Sequence, residues 1–391
     1  MVDPKIPEEN QNVDFYSPEG GPGQDAASWT APVHREQIPP GGSSETTASQ
    51  PPKTSQKESE WPMGVRKSVE VNGKKWEYLE YGNPDGQPLL NVHGWLGSSA
   101  EGQDHLSRAF AGEPQDSQGL RNLEEYKDSD HPEIDYKNTA DHIREEVGNL
   151  KGKYRIISPE LPGFGRTEVL DSVSLDNMAD ALFEFQKAVG LDNSIAFGSS
   201  MGGILAIKLA ARHPEQVRAL VLQGTMTRPE DMDRIAYILA QIATLKPIEA
   251  VLRKLNISKK LFAGIVKGSK DYKIADTETQ QRIISDTLSA DSQTASATLR
   301  EIGKDIEADI KKVECPVIVL DGANGDLVPI MNSARASTRF HPEVPNAEKV
   351  SEKKVVFLPV GGRAGKQGHN IINTLPEIAL LVDDVVSNIT K

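Results

Sequence analysis

Gly198-Ser199-Ser200-Met201-Gly202 fits the pattern G-x-S-x-G. With each fixed residue at about 7 % frequency, chance supplies roughly 0.1 such matches in a chain this long. The pattern alone therefore decides little, and its placement carries the argument. It lies between the apolar run SIAFG at 194–198 and the helical pattern MGGILAIKLAARH at 201–213, with no loop to spare. A turn that sharp strains the serine backbone and projects its hydroxyl above the strand ends. Gly198 and Gly202 suit it because side chains there would collide with neighbouring elements. The competing reading is a tight turn whose serine only caps the helix.

A neutral serine is a weak nucleophile and needs a base held by a third group. Of eight histidines, His34 lies in a polar N-terminal stretch, and His105 and His131 in or beside a second polar stretch. His142 and His213 fall on expected helices and His341 in a loop, which leaves His93 and His369. His369 sits in GKQGHN after the last strand pattern, in a glycine-flanked loop from which a side chain can lean over the strand ends. The acid is sought after a strand between Ser200 and His369. Asp326 in DGANGDLVP fits, with Asp321 at the strand end as its rival, although a loop aspartate is commonly only a turn former.

These residues need elements to position them. VRKSVEVNGKKWEYLEY at 65–81 alternates around Asn72-Gly73, a strong hairpin signal. PLLNVHG at 88–94, YRIIS at 154–158, SIAFG at 194–198 and RALVLQG at 218–224 read as buried strands. Helices are expected at about 138–150, 174–190 and 201–213. Residues 225–310 contain helical segments and no convincing strand, after which PVIVLDG, KVVFLPV and a closing helix at 378–389 resume the alternation. The expected fold is α/β: a mostly parallel central sheet flanked by helices, with an inserted helical cap. The expected division is a tail over 1–62, a core over 63–224 and 311–391, and a cap over 225–310. Within the core, residues 98–137 read as a polar, irregular insertion and a possible lid.

Composition narrows the function. The first sixty residues hold nine prolines and few large apolar side chains, the signature of a disordered tail. The net charge of −13 over 391 residues, without a basic run or interleaved aromatics, argues against nucleic acid. An anionic membrane surface is disfavoured on the same ground. The single cysteine, Cys315, excludes an intrachain disulfide and suits a reducing compartment, so a cytoplasmic protein is expected. The N-terminus lacks the basic and apolar regions of a signal peptide, and no apolar run reaches the roughly 18 residues of a membrane span. No His/Asp/Glu cluster has metal-ligand spacing, and the reading calls for no cofactor.

The order Ser, Asp, His, each after a core strand, resembles the α/β-hydrolase superfamily. The resemblance covers residues 65–391. HGWLGS at 93–98 is similar to the family's oxyanion turn, PELPGFGRT at 159–167 to the motif after its fourth strand, and GSSMGG at 198–203 to its nucleophile turn. CPVIVLDGANGDLVP and GHN are similar to its acid and histidine loops. The resemblance implies that Ser200 attacks a carbonyl carbon, His369 moves the proton and Asp326 holds the imidazole. It also implies that the backbone N–H groups of Trp95 and Met201 meet the oxyanion, each worth on the order of 3 kcal/mol in the transition state. His93 becomes a structural anchor of its turn. Two departures stand out: Asp326 is four residues after Gly322 but only three before Pro329, and Glu160 stands where aspartate is commoner.

A serine at this position excludes the branches that use aspartate there and leaves acyl chemistry. The expected activity is hydrolysis of a carboxylic ester on a small-molecule acyl substrate, through an acyl-enzyme. Acyl transfer on the same residues and a non-catalytic ligand binder are the alternatives. Ile238, Leu239, Ile242, Leu261, Phe262 and Ile265 either line an acyl pocket or pack the cap onto the core. The sequence carries no signal for oligomeric state.

Overall fold

The computed structural model describes residues 63–99, 102–113, 136–231, 242, 245–254, 257–268, 272–273, 277–322, 355–360 and 376–389. The 1–62 segment, residues 114–135, Asp326 and His369 lie outside them.

A hairpin opens the described chain: β1 (Met63–Val71) pairs antiparallel with β2 (Lys74–Gly82). Asn72 and Gly73 between them have φ values of 50° and 72°, the two left-handed residues that a two-residue hairpin turn requires. β2 then pairs antiparallel with β4 (Tyr154–Pro159). All further pairings are parallel, through β3 (Gln87–Val92), β5 (Ser194–Ser199), β6 (Val217–Gln223), β7 (Val317–Gly322) and β8 (Val355–Val360). The eight strands lie in the order β1-β2-β4-β3-β5-β6-β7-β8.

Successive side chains of a strand point to opposite faces, and here both faces are apolar. Leu90, Ile157, Ala196, Leu220 and Val319 enter one core, while Leu89, Ile156, Phe197, Val221 and Ile318 enter the other. This is why the strands read as continuous apolar runs. On the first face lie α3 (Leu175–Ala188) and α4 (Met201–Arg212). Ser174 caps α3 by accepting a 3.0 Å hydrogen bond from the Asn177 amide. Trp76 of β2 is fully buried there, stacked on Phe185 of α3 at 4.9 Å, with Tyr78 edge-on to the same ring. The opposite face is covered by α1 (Gly102–Phe110), α2 (Tyr136–Gly148) and α10 (Glu377–Ile389).

Helix α1 corrects the reading of residues 98–137 as an irregular insertion. Leu106, Ala109 and Phe110 are buried in the second core, and Phe110 meets Tyr154 edge-on at 5.3 Å. This part of the segment is core, not solvated loop.

Between β6 and β7 the described chain is helical: α5 (Lys246–Lys254), α6 (Ser258–Gly268), α7 (Thr277–Ser289), α8 (Ser292–Leu299) and α9 (Glu307–Ile310). Leu299, Ile302, Ile306 and Ile310 join the first core, so these helices share apolar packing with the sheet. Lys208 of α4, nearly buried, is fixed by Asp176 of α3 at 2.8 Å and Asp309 of α9 at 2.7 Å.

The Trp76–Phe185 stack ties the hairpin to the first helix layer. Phe185→Ala is expected to cost about 3–5 kcal/mol in urea unfolding; a loss under about 1 kcal/mol would show that the hairpin is held elsewhere.

Candidate active site

Ser200 is the single residue between β5 and α4, and its backbone sits at φ 51°, ψ −115°. Such a conformation costs a non-glycine residue on the order of 1–3 kcal/mol and persists only where its surroundings enforce it. The surroundings are visible. The Ser200 amide donates to the Gln223 carbonyl at the end of β6, at 2.8 Å, and the Ser200 carbonyl accepts from the Gly203 amide at 2.9 Å. A Cβ on Gly198 would stand 2.5 Å from the Gly202 carbonyl oxygen, and one on Gly202 would stand 2.6 Å from that of His93 and collide with that of Val92. Glycine is therefore required where strand, helix and the end of β3 meet. The Ser200 side chain makes no cap hydrogen bond to α4, so the reading of Ser200 as a plain helix cap fails.

Beside the serine lies the turn that follows β3. A Cβ on Gly94 would be 3.4 Å from the Ser200 Cβ and 3.3 Å from the Ser199 carbonyl oxygen. Trp95, expected to offer an oxyanion amide, is thus the next residue after one that touches the elbow. Leu96 follows at φ 61°, and the Gly97 amide closes the turn on the Gly94 carbonyl at 3.1 Å. Met201 is the first residue of α4, and a first-turn helical amide has no carbonyl within its own helix to bond.

His93 anchors this turn. The Leu161 amide donates to its Nε2 at 3.0 Å, so the proton sits on Nδ1, which donates to the Gly94 carbonyl at 2.8 Å. The ring is 1 % exposed, and burial pushes its pKa down to about 4. It is neutral at neutral pH, and both ring nitrogens are engaged by backbone.

Further contacts clamp the turn. The Trp95 indole Nε1–H donates to the Ala295 carbonyl on α8 at 3.0 Å, and its ring meets Phe262 of α6 edge-on at 5.5 Å. The Ser98 hydroxyl donates to the Asp286 carboxylate on α7. Ser99 donates to Glu160 at 3.2 Å, and this buried carboxylate also takes Arg66 at 2.7 Å and the Arg166 amide at 2.5 Å. Ser98, Ser99 and Glu160 carried no signal in the sequence beyond the Glu-for-Asp departure, because their partners are distant in the chain.

Of the remaining expected residues, Asp321 lies on β7 opposite Pro359 of β8. Asp326 and His369 fall outside the described residues. His213, at the end of α4, stacks on Phe183 at 3.6 Å as a packing residue. Asp231 is 1 % exposed and spends one carboxylate oxygen on the Thr227 amide and hydroxyl, both at 2.8 Å, and on the Arg228 amide at 3.0 Å. Among the described residues no group of three His, Cys, Asp or Glu is placed to hold a metal.

Comparison with known proteins adds a lineage. A family model described as the alpha/beta hydrolase fold matches residues 87–357. A 2-hydroxy-6-oxo-6-(2'-aminophenyl)hexa-2,4-dienoic acid hydrolase of Metapseudomonas resinovorans is 25 % identical over 277 residues, 68 % of this chain and 77 % of that one. A pimeloyl-[acyl-carrier protein] methyl ester esterase of Shewanella woodyi is 29 % identical over 203 residues, 50 % of this chain and 72 % of that one. Among solved structures, a thermophilic esterase of Thermogutta terrifontis superposes with a TM-score of 0.54 at 18 % identity, covering 84 % of this chain and all of that one.

Two predictions follow from the elbow and its anchor. Ser200→Gly relieves the backbone strain and is expected to stabilise the protein by about 1 kcal/mol, whereas Ser200→Ala keeps a Cβ and gains none; equal stabilities in chemical denaturation would refute the strain. His93 titrates near 6.5 when unfolded and near 4 when folded, so the unfolded chain binds more protons between those values. Its contribution is therefore whole above pH 6.5 and is lost as pH falls to 4, by on the order of 3 kcal/mol. Unfolding at pH 8 and pH 5 should show a shallower loss for His93→Gln than for the native chain; parallel losses would contradict the assignment.

Proposed function

The chain belongs to the alpha/beta hydrolase fold family, and from that premise we propose that it hydrolyses carboxylic esters through an acyl-enzyme on Ser200. The observation that carries the proposal is the strained Ser200 backbone, held by glycines that admit no side chain and making no cap bond to the helix behind it. A structural turn has no use for that strain. A nucleophile does, since it lifts the hydroxyl clear of the sheet.

In this mechanism the Ser200 Oγ attacks the ester carbonyl carbon while His369 takes its proton. The tetrahedral oxyanion is met by the Trp95 and Met201 amides. Collapse expels the alcohol, which His369 protonates, and water then repeats the sequence to release the acid. Asp326 holds the His369 imidazole, with Asp321 as the rival. The sheet order supports this division of labour. β7 lies two strands from β5 and β8 three, so their ends are offset from Ser200 by about 10 and 14 Å. The four residues from Gly322 to Asp326 can span up to ~14 Å, and the nine from Val360 to His369 up to ~30 Å. Both loops can reach the serine.

The helices between β6 and β7 serve as the cap, and Trp95 is where the described part of it touches the site. The substrate class is an ester of a small or medium acyl group, which agrees with the hydrolase and esterase names of the relatives. Acyl transfer to another acceptor uses the same residues, but nothing in the sequence excludes water. A cytoplasmic location rests on the lone Cys315. No helix among the described residues is long and apolar enough to cross a membrane.

A fluorophosphonate probe tests the proposal. It is expected to label the native chain and neither Ser200→Ala nor His369→Ala, with ester kcat reduced about 10⁶-fold in each. Asp326→Asn should lower kcat by about 10⁴ and Asp321→Asn by much less. Labelling that survives Ser200→Ala would sink the assignment.

A further inference from the structure

Helix α6 is apolar on two sides, and only one of them is covered. Inward, Phe262 and Ala263 are buried, and the Phe262 ring lies against Trp95. Outward, Leu261 and Ile265 are 37 % and 45 % exposed, and Ile257, just before the helix and four residues ahead of Leu261, is 36 % exposed. The second side fits neither sequence reading of Leu261 and Ile265, for they neither line a pocket nor pack onto the core. Helix α5, which packs on α6, adds Ile248 and Val251 at 37 % and 56 % exposure, and Leu245 just before it is 52 % exposed. An amphipathic surface helix ordinarily turns its apolar stripe inward. Here two adjacent helices turn one outward, which marks a surface that something covers.

Charge identifies what covers it. Residues 246–268 contain six basic residues (Lys246, Arg253, Lys254, Lys259, Lys260, Lys267) and one acidic residue, Glu249, a net of +5. The whole chain carries −13, so the remainder carries −18. Lys246, Lys254, Lys260 and Lys267 are exposed beside the apolar stripes. Lysine on the flank of an exposed apolar helix face can place its ammonium among anionic headgroups while its stem and the apolar residues enter the acyl boundary. The acidic remainder would be repelled from the same surface, which orients the molecule. A second copy of this chain is a poorer occupant, because a self-complementary contact would set +5 against +5.

We propose that the outer face of α5 and α6 docks the protein on an anionic lipid surface. The proposal builds on the ester-hydrolase reading of the site without depending on it. Because the inner side of α6 rests on Trp95, docking holds the entrance of the site one helix thickness, about 10 Å, from the lipid. The substrates so favoured are esters that partition into membranes. The net charge of the chain misleads on this point, because residues 246–268 hold six basic residues against one acidic residue while the rest of the chain is acidic.

The test is co-sedimentation of the full chain with vesicles of equal phosphatidylglycerol and phosphatidylcholine, and with phosphatidylcholine alone. The native protein and Ser200→Ala are both expected to bind the anionic vesicles, and 0.5 M NaCl should release much of the bound protein. Leu261→Gln/Ile265→Gln and Lys260→Glu/Lys267→Glu should each lower the bound fraction about tenfold, with hydrolysis of a soluble short-chain ester unchanged. Native protein that stays in the supernatant, equal binding to neutral vesicles, or variants that bind like the native chain would overturn the proposal. So would a native dimer in analytical ultracentrifugation that Leu261→Gln/Ile265→Gln dissociates, since the face would then belong to a second copy. Loss of esterase activity in Ser200→Ala with binding intact separates this proposal from the catalytic one.

Discussion

The architecture around Ser200 depends on a close approach of backbones that only glycine permits. The β5–α4 turn presses Gly202 onto the carbonyls of Val92 and His93 at the end of β3, and Gly198 onto Gly202 itself. Neither site has room for a methyl group. The left-handed Ser200 backbone follows from this contact, since the chain must reverse from strand to helix within one residue. The energy stored there is small beside the two cores that enforce it, and a sheet buried on both faces gives the turn no freedom to relax.

The partner of the elbow is the turn at 93–99, held by contacts of several kinds. His93 ties it to Leu161 through a neutral, fully engaged ring. Trp95 and Ser98 tie it to the helices between β6 and β7, and Ser99 ties it to Glu160. Preorganised amides stabilise a developing charge best when they need not move to do so. The turn is pinned from the sheet core and from the helices between β6 and β7 together. The Trp95–Phe262 contact also couples α6 to the turn beside Ser200.

Much of the fold was legible because buried parallel strands leave long apolar runs, and Asn72-Gly73 can hardly be read as anything but a hairpin turn. Among the described residues, strand and helix limits fell within a residue or two of expectation, and GSSMGG lies between a strand and a helix as its placement implied. Helix α1 was missed for a physical reason. Its sequence, GQDHLSRAF, offers only Leu106, Ala109 and Phe110 as an apolar stripe. Its buried Ser107 meets the core through Asn91 and Ser158, at 2.9 Å each, and polar burial leaves no trace in hydrophobic periodicity. Glu160 was opaque likewise, since a carboxylate is recognised as buried only once Arg66, 94 residues away, stands beside it. Periodicity also marked Leu261 and Ile265 as apolar without saying that their side faces outward.

The account stands on a covalent intermediate at Ser200, and rapid-quench mass spectrometry reads it directly. The full chain would be mixed with p-nitrophenyl butyrate, quenched in acid within milliseconds and digested. The account predicts one butyryl group on the peptide that contains Ser200, absent from Ser200→Ala. Turnover of the ester with no acylated peptide, or with the acyl group on another residue, would contradict it.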